Sequence, residues 1–558
     1  MSKKWRKGDG KNFMMDKNCK NCGESFRIAT DDLEFYEKLK VPAPTRCPKC
    51  RQQRRLAFRN DRSLYKRTCG LCGKAIVTLY SDDVKFPVYC AGCWWSDKWS
   101  PFSYGRDFDL ERPFFGQLKE LMDTVPKMAC LQLDNENSEY NALLAYSKNT
   151  YMSPGSYFVE DCYYCRKSQY CRDCLDCNFI DHCELVKSSV NCSGCYNCYE
   201  LLNCRNCRDC AYMADSTGCS NCFMCSGIVK GQYFYKNIRY PQREYENIVK
   251  EKRQQADEIL MKEFWEFNKT VPKKALNIIN CEACSGDYLQ NCKNALECYD
   301  CFDLEDCKYL QESVSVKDSM DLSMHDKNIE LGYELCSGGE SNTLLRFSFC
   351  TIDSYDSDYL FMCFHLKESF GCDGFHSKNK FCILNKQYSG KDYVALREKI
   401  IEHMKKTGEY GEFFPIELSP FPYNESCAQD YFPMIEEDVL AKGWRWKAKD
   451  RREYASATAK LPAKIEDVPD VIINTIMACE KCGKNYKILK QELSLCRKLR
   501  ISLSRLCADC RMWKLNSMKN PRKLWDRKCA QCAASINTTY APDRPEIVYC
   551  EKCYLELL

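Results

Sequence analysis

Over much of this chain the apolar positions follow neither a helical nor a plain strand period. Between Cys162 and Cys225 fifteen cysteines fall at residue numbers all divisible by three, with gaps of 3, 6 or 9. A three-residue step drifts by about 60° around an α-helix, so it cannot mark one helical face. In a plain strand, residues i and i+3 point to opposite faces. The period suits a chain that bends every few residues. A solenoid of short strands joined by corners, with small side chains stacked into internal ladders, is the architecture it predicts. Ser, Asn, Asp and Tyr fill the gaps, and no proline occurs between Pro154 and Pro241. A second tract opens at Cys281, and Cys292, Cys298, Cys301 and Cys307 resume the phase. Lags of 12, 15 and 21 each match many pairs, so the coil length stays open.

Helical periodicity appears elsewhere. Leu110, Phe114, Leu118, Leu121, Met122 and Val125 recur at helical spacing, and Pro113 sits where a first turn tolerates it. Asp31 and Glu34 offer a capping box to a short helix ending before Pro42. Two further helices are expected over 243–268 and 391–406. Each follows a similar device: Asn237, Tyr240 and Tyr245 recur as Asn385, Tyr388 and Tyr393. These read as caps on two half-solenoids, because exposed coil ends invite edge pairing.

The ends of the chain carry a different pattern. Cys19, Cys22, Cys47, Cys50, Cys69, Cys72, Cys90 and Cys93 recur at a constant offset of 460 as Cys479, Cys482, Cys507, Cys510, Cys529, Cys532, Cys550 and Cys553. Two residues between cysteines let a tight turn aim both sulfurs at one ion, and two such pairs close a tetrahedral shell. Cys69–Cys72 with Cys90–Cys93 has a spacing typical of zinc sites. Four sites, hence about four zinc ions, follow for the chain. Such closed shells read as structural. Sequential ligation is favoured over cross-bracing, because a strand-like stretch, Ala75 to Tyr80, follows the knuckle at Cys69 and Cys72.

Cys19, Cys22, Gly23, Phe26 and Ile28, then Phe35, Tyr36 and Lys38, then Pro44, Arg46, Cys47, Pro48, Cys50 and Arg51 resemble a small zinc-ribbon family. The resemblance implies one zinc on Cys19, Cys22, Cys47 and Cys50. The C-terminal copy departs from it: Ser504 and Ala508 replace the prolines, and Leu495 and Cys496 replace Phe-Tyr. The whole chain also resembles uncharacterised cysteine-rich proteins of small-genome bacteria. That resemblance rests on the stretches beginning at Arg112, Asn385, Gly411 and Ser419, and it implies no activity.

The fold expected is multidomain, with duplicated double zinc-ribbon modules flanking a Cys-rich β-solenoid-like middle that α-helices interrupt and cap. The expected divisions are 1–100 (module), 101–149 (connecting helix and loop), 150–242 (first tract), 243–275 (helical insertion) and 276–390 (second tract). A capping helix with a Pro- and aromatic-rich wrap (391–446), a linker (447–470) and the second module (471–558) complete them.

Charge and composition bear on function. Residues 1–100 hold 22 Lys+Arg against 11 Asp+Glu, and residues 471–558 hold 17 against 8, so basic ends flank an acidic middle. Arg51, Arg54, Arg55, Arg59 and Arg62 share one helical face and are the candidate nucleic-acid contacts, RNA before DNA. The competing reading packs this helix on the chain's own acidic middle. Trp94, Trp95 and Trp99 offer base stacking or, as the favoured reading, packing against a neighbour. A protein scaffold is the first alternative function, and a zinc or thiol reservoir or a thiol-redox protein is the second; any enzymatic activity is expected to be thiol or metal exchange in the middle tract. The middle cysteines are expected to be buried thiols, with additional zinc as the rival. Forty-five cysteines, an odd number, together with a start lacking an apolar signal core, point to the cytoplasm. The five histidines fall in no metalloprotease or deaminase pattern, and there is no phosphate-binding glycine loop. No catalytic residue is nominated.

Overall fold

The computed structural model describes residues 15–337, 339–448 and 454–557. The start of the chain, 1–14, and part of the expected linker, 449–453, lie outside this range.

The middle of the chain is two β-solenoids with a twelve-residue coil. Parallel strands pair Asn178 with Val190 and Ala211 with Phe223, and the same step recurs through both tracts. Each coil has four sides of three residues. The corners are residues held in the left-handed region, every third one through Tyr164, Lys167, Tyr170, Asp173 and Asp176. A left-handed corner costs an ordinary L-residue roughly 1–2 kcal/mol and is easiest for Gly, Asn and Asp. The corners accordingly carry many Asn and Asp, and these bond up the stack, as in Asn137 to Asn149 to Asp161.

The residue after each corner points inward, which explains the cysteine phase. One ladder runs Cys162, Cys174, Val186, Cys198, Cys210, Cys222, and the next runs Cys165, Cys177, Ser189, Leu201, Met213, Cys225, all buried. Inward thiols donate to the carbonyl two residues back, as Cys174 Sγ does to Arg172 O at 3.3 Å. The second solenoid fills the same positions with Leu, Val and Ile alongside Cys and Ser. It also changes coil length locally, to eleven residues at Ile278–Leu289 and thirteen at Asp326–Gly339.

The expected caps close both exits. Asn237 accepts from Ser226 N and donates to Ser226 O, and Asn385 does the same at Asp373. Tyr245 and Tyr393 are buried behind them. The insertion after the first exit is two helices, Gln242–Lys252 and Asp257–Thr270, rather than one, and Gly390–Thr407 follows the second exit.

Lysines at equivalent places show how the parts assemble. Lys127, entering the first solenoid, lies in a short parallel strand paired with Val88–Tyr89 of the first module, and its Nζ meets Asp373 near the second exit at 2.6 Å. Lys273, entering the second solenoid, pairs with Val548–Tyr549 of the last module and meets Asp215 near the first exit at 3.1 Å. Each module therefore bridges the entry of one solenoid and the exit of the other. The solenoids lie side by side and antiparallel. Trp94 is fully buried against Phe364 and His376 in that junction, which is the packing role for the tryptophans. The connecting helix forms at Phe114–Met122 with Phe114, Leu118 and Leu121 buried. Part of the expected linker is packed instead: Leu461, Ile465 and Val468 are buried against the last module and the first solenoid.

Candidate metal centres

Each module is built from two copies of one local design. A hairpin presents the first cysteine pair, and a helix N-terminus presents the second. In the first site the hairpin pairs Met15–Asn18 with Ser25–Ile28. Cys47 is the N-cap of helix Pro48–Leu56, and Cys50 lies in its first turn. Cys90, Cys507 and Cys550 are likewise N-caps. Placing thiolates at the positive end of a helix is electrostatically favourable.

The sulfurs form four groups: Cys19, Cys22, Cys47, Cys50; Cys69, Cys72, Cys90, Cys93; Cys479, Cys482, Cys507, Cys510; and Cys529, Cys532, Cys550, Cys553. Within each group all sulfurs lie within 4.8 Å of one another. Ligation is therefore sequential. The separations are 3.8 Å for Cys22–Cys47, 4.0 Å for Cys72–Cys90, 3.7 Å for Cys482–Cys507 and 3.8 Å for Cys532–Cys550. A tetrahedron with Zn–S of about 2.3 Å has edges of about 3.8 Å, so the donor set fits zinc. Backbone amides supply the second layer. Cys47 N donates to Cys19 Sγ at 3.3 Å, Cys90 N to Cys69 Sγ at 3.3 Å, and Cys550 N to Cys529 Sγ at 3.2 Å. Burial raises the Cys69 thiol, but the amides of Cys72, Cys90 and Leu71 outweigh it and hold the group down at about 6. Cys479 and Cys529 are held at about 6 in the same way. These are thiols prepared to ionise for a cation. The protein is thus a structural zinc-binding protein with four closed four-cysteine sites.

No other group of three or more such ligand atoms within 4.8 Å occurs among the described residues. The middle cysteines are spread along the ladders, and no disulfide joins them.

The arginine face requires a correction. Arg51, Arg54, Arg55 and Arg59 are 2%, 2%, 0% and 3% exposed, so they do not present a surface to phosphate. Arg51 Nη2 meets Asp321 at 2.8 Å. Arg54 Nη2 meets Glu334 at 2.7 Å, and its other nitrogen meets Glu412. Arg55 Nη1 reaches Asp321 at 3.3 Å and Glu334 at 3.2 Å. Arg59 Nε pairs with Asp61 at 2.7 Å, and Arg62 is paired with Asp430. Burial raises Asp61, but Arg59, Arg166 and Lys167 outweigh it and hold the carboxyl well below its usual range. Guanidinium groups stripped of water need partners: the second solenoid supplies Asp321 and Glu334, the wrap supplies Glu412 and Asp430, and the module supplies its own Asp61. The C-terminal copy uses the same device on the first solenoid. Arg511, at the place of Arg51, meets Glu492 at 2.7 Å and Asp176 at 3.3 Å. Asp321 and Glu334 lie some 270 residues from their arginines, and their sequence neighbourhood carries only the general acidity of the middle.

Residues 15–59 match a family model described as "Probable treble clef domain". A hairpin knuckle followed by ligands at a helix N-terminus is the geometry seen at that site. It makes the ribbon-like expectation more specific. A comparison with curated proteins finds no match.

Proposed function

We propose that this protein is a non-enzymatic, zinc-locked scaffold for protein–protein interaction, working in a reducing compartment such as the cytoplasm. The observation that carries this reading is an exposed stack of rings on the first solenoid. Tyr146, Phe158 and Tyr170 are 46%, 47% and 49% exposed. Their centroids, continuing to His182, are spaced 4.9, 5.1 and 4.8 Å. Exposed apolar surface on a rigid frame marks an interaction site. The adjoining column alternates in sign through Glu136, Lys148, Glu160 and Arg172, so it offers no net positive field to a phosphate backbone. Ring edges beside mixed charges suit a protein partner with its own apolar residues and both signs of charge. Zinc shells without an open position support the absence of catalysis, and forty-five cysteines with no disulfide among them support the compartment.

The test is a triple change, Tyr146, Phe158 and Tyr170 to Ser, compared with the unchanged chain in affinity purification from its own cells. A partner kept by the unchanged chain in about 0.5 M salt and lost from the variant is the expected result. Retention of RNA or DNA that falls steeply with salt, with no protein partner, would instead restore the nucleic-acid reading.

A further inference from the structure

Among the described residues, amide side chains bond to coil carbonyls at three of the four solenoid ends and not at the fourth. Asn237 and Asn385 close the exits. At the first entry, Gln132 donates to the carbonyls of Ser138 and Asn141, Asn135 donates to Leu144 O, and Asn141 donates to Thr150 O. Counting from the equivalent lysines Lys127 and Lys273, the second entry carries Cys281 and Cys284 where the first has Asn135 and Ser138. Both thiols are half-buried there, whereas every other cysteine from Cys130 to Cys496 outside the zinc sites is buried. Between them Ala283 is a left-handed corner at φ 51°, so the chain turns and brings two inward side chains together at adjacent corners.

Their environments differ in a way that assigns roles. Cys281 Sγ accepts the Cys292 amide at 3.3 Å and donates to Ile279 O at 3.2 Å. Cys284 Sγ donates to two carbonyls, Glu282 O at 3.2 Å and Cys292 O at 3.4 Å. A bond from an amide favours a thiolate, and bonds to carbonyls favour a protonated thiol. Cys281 is thus the better nucleophile, and Cys284 is placed to resolve.

We propose that Cys281 and Cys284 form a reactive dithiol, oxidised reversibly to an intrachain disulfide by exchange with small disulfides of the glutathione type. The Cys281 thiolate attacks one sulfur of the disulfide, forms a mixed disulfide and expels one thiolate. Cys284 then loses its proton and attacks the Cys281 sulfur, closing the Cys281–Cys284 bond and expelling the second thiolate. The two protons released by the protein end on the two leaving thiols. Two electrons pass from the protein dithiol to the small disulfide. The reaction is stoichiometric and needs no turnover, and it pins the one solenoid end that lacks an amide plug.

The experiment uses the full-length, zinc-loaded chain in anaerobic glutathione buffers, stepped from reducing to oxidising. Acid quenching, alkylation and peptide mass mapping follow, with zinc measured in parallel. The expected first product is the Cys281–Cys284 disulfide, with Cys292 and the ladder cysteines still reduced and all zinc retained. In C284S, Cys281 should accumulate as a glutathione mixed disulfide. In C281S, Cys284 should do so about tenfold more slowly. If both cysteines stay reduced where a small dithiol control oxidises, or react no faster than Cys292, the proposal is overturned. Zinc loss ahead of the disulfide, or a mixed disulfide in the unchanged chain that never closes, overturns it as well.

Discussion

Cysteine serves two unlike purposes in the terminal modules and in the solenoid interior. At the ends, four sulfurs converge to within 4.8 Å and accept bonds from backbone amides. In the interior, sulfurs stand one above another and mostly donate to carbonyls. The terminal positions are Cys in both copies without exception. The ladder positions alternate among Cys, Ser, Val, Leu, Ile and Met. A metal shell fixes the identity of each ligand, because only a thiolate at that place completes it. A packed ladder fixes only size and phase, because burial rewards any small apolar rung.

The largest effect that separates the two regions is metal removal. A structural zinc contributes on the order of 10–16 kcal/mol to the folding of a small domain. Elemental analysis of the reduced chain should give about four zinc ions, one for each four-cysteine group. Hydrogen exchange on the full chain in chelator should lose protection across 15–93 and 479–553 while the ladder region 162–225 keeps it. Equal loss in both regions would place metal in the interior and erase the contrast.

Next comes the interface that joins the regions. Arg55 is fully buried between Asp321 and Glu334. R55Q leaves two carboxylates buried with a lost counter-charge, a change that costs about 3–5 kcal/mol. Denaturant unfolding of the zinc-loaded chain should show that loss, with the zinc content unchanged because no ligand is touched. An unchanged midpoint would mean that the arginine helix is not held in the buried network.

These contrasts explain what was legible beforehand. The sixteen ligands were readable because metal ligation needs a fixed residue at a fixed spacing, and the offset of 460 repeats it intact. The caps Asn237 and Asn385 were readable because a terminal amide has one specific task, to mimic the next coil's backbone. The coil length was not, since a ladder such as Cys165, Cys177, Ser189, Leu201, Met213 keeps its period but not its residue. A signal did exist in the residue before each cysteine. Asp161, Asp173, Asp176, Asn191, Asn197, Asn203 and Asp209 all sit at left-handed corners, where Asn and Asp are favoured. The partners of the arginine helix were hidden for another reason: a helical face shows where charge clusters, and the opposing carboxylates come from distant coils.

The smallest effect sharpens the comparison most, because one chemical change is made in both regions. Cys174 stands between Cys162 and Val186 on one ladder and donates to Arg172 O at 3.3 Å. Serine already occupies such a rung: Ser189 Oγ donates to Lys187 O at 2.9 Å and accepts from Leu201 N at 3.2 Å. C174S therefore keeps a bonded rung of slightly smaller size. It loses some apolar contact and fits its oxygen to a shorter bond, for a cost of about 1 kcal/mol. The same change at Cys47 takes a ligand from a shell in which an oxygen cannot replace a thiolate at comparable affinity. Zinc should fall from about four per chain to about three, one four-cysteine group being lost, and protection across 15–59 should fall with it. Calorimetry and metal analysis on the two variants give both numbers. If C174S proves as costly as C47S, the ladder demands sulfur for a reason that packing does not supply.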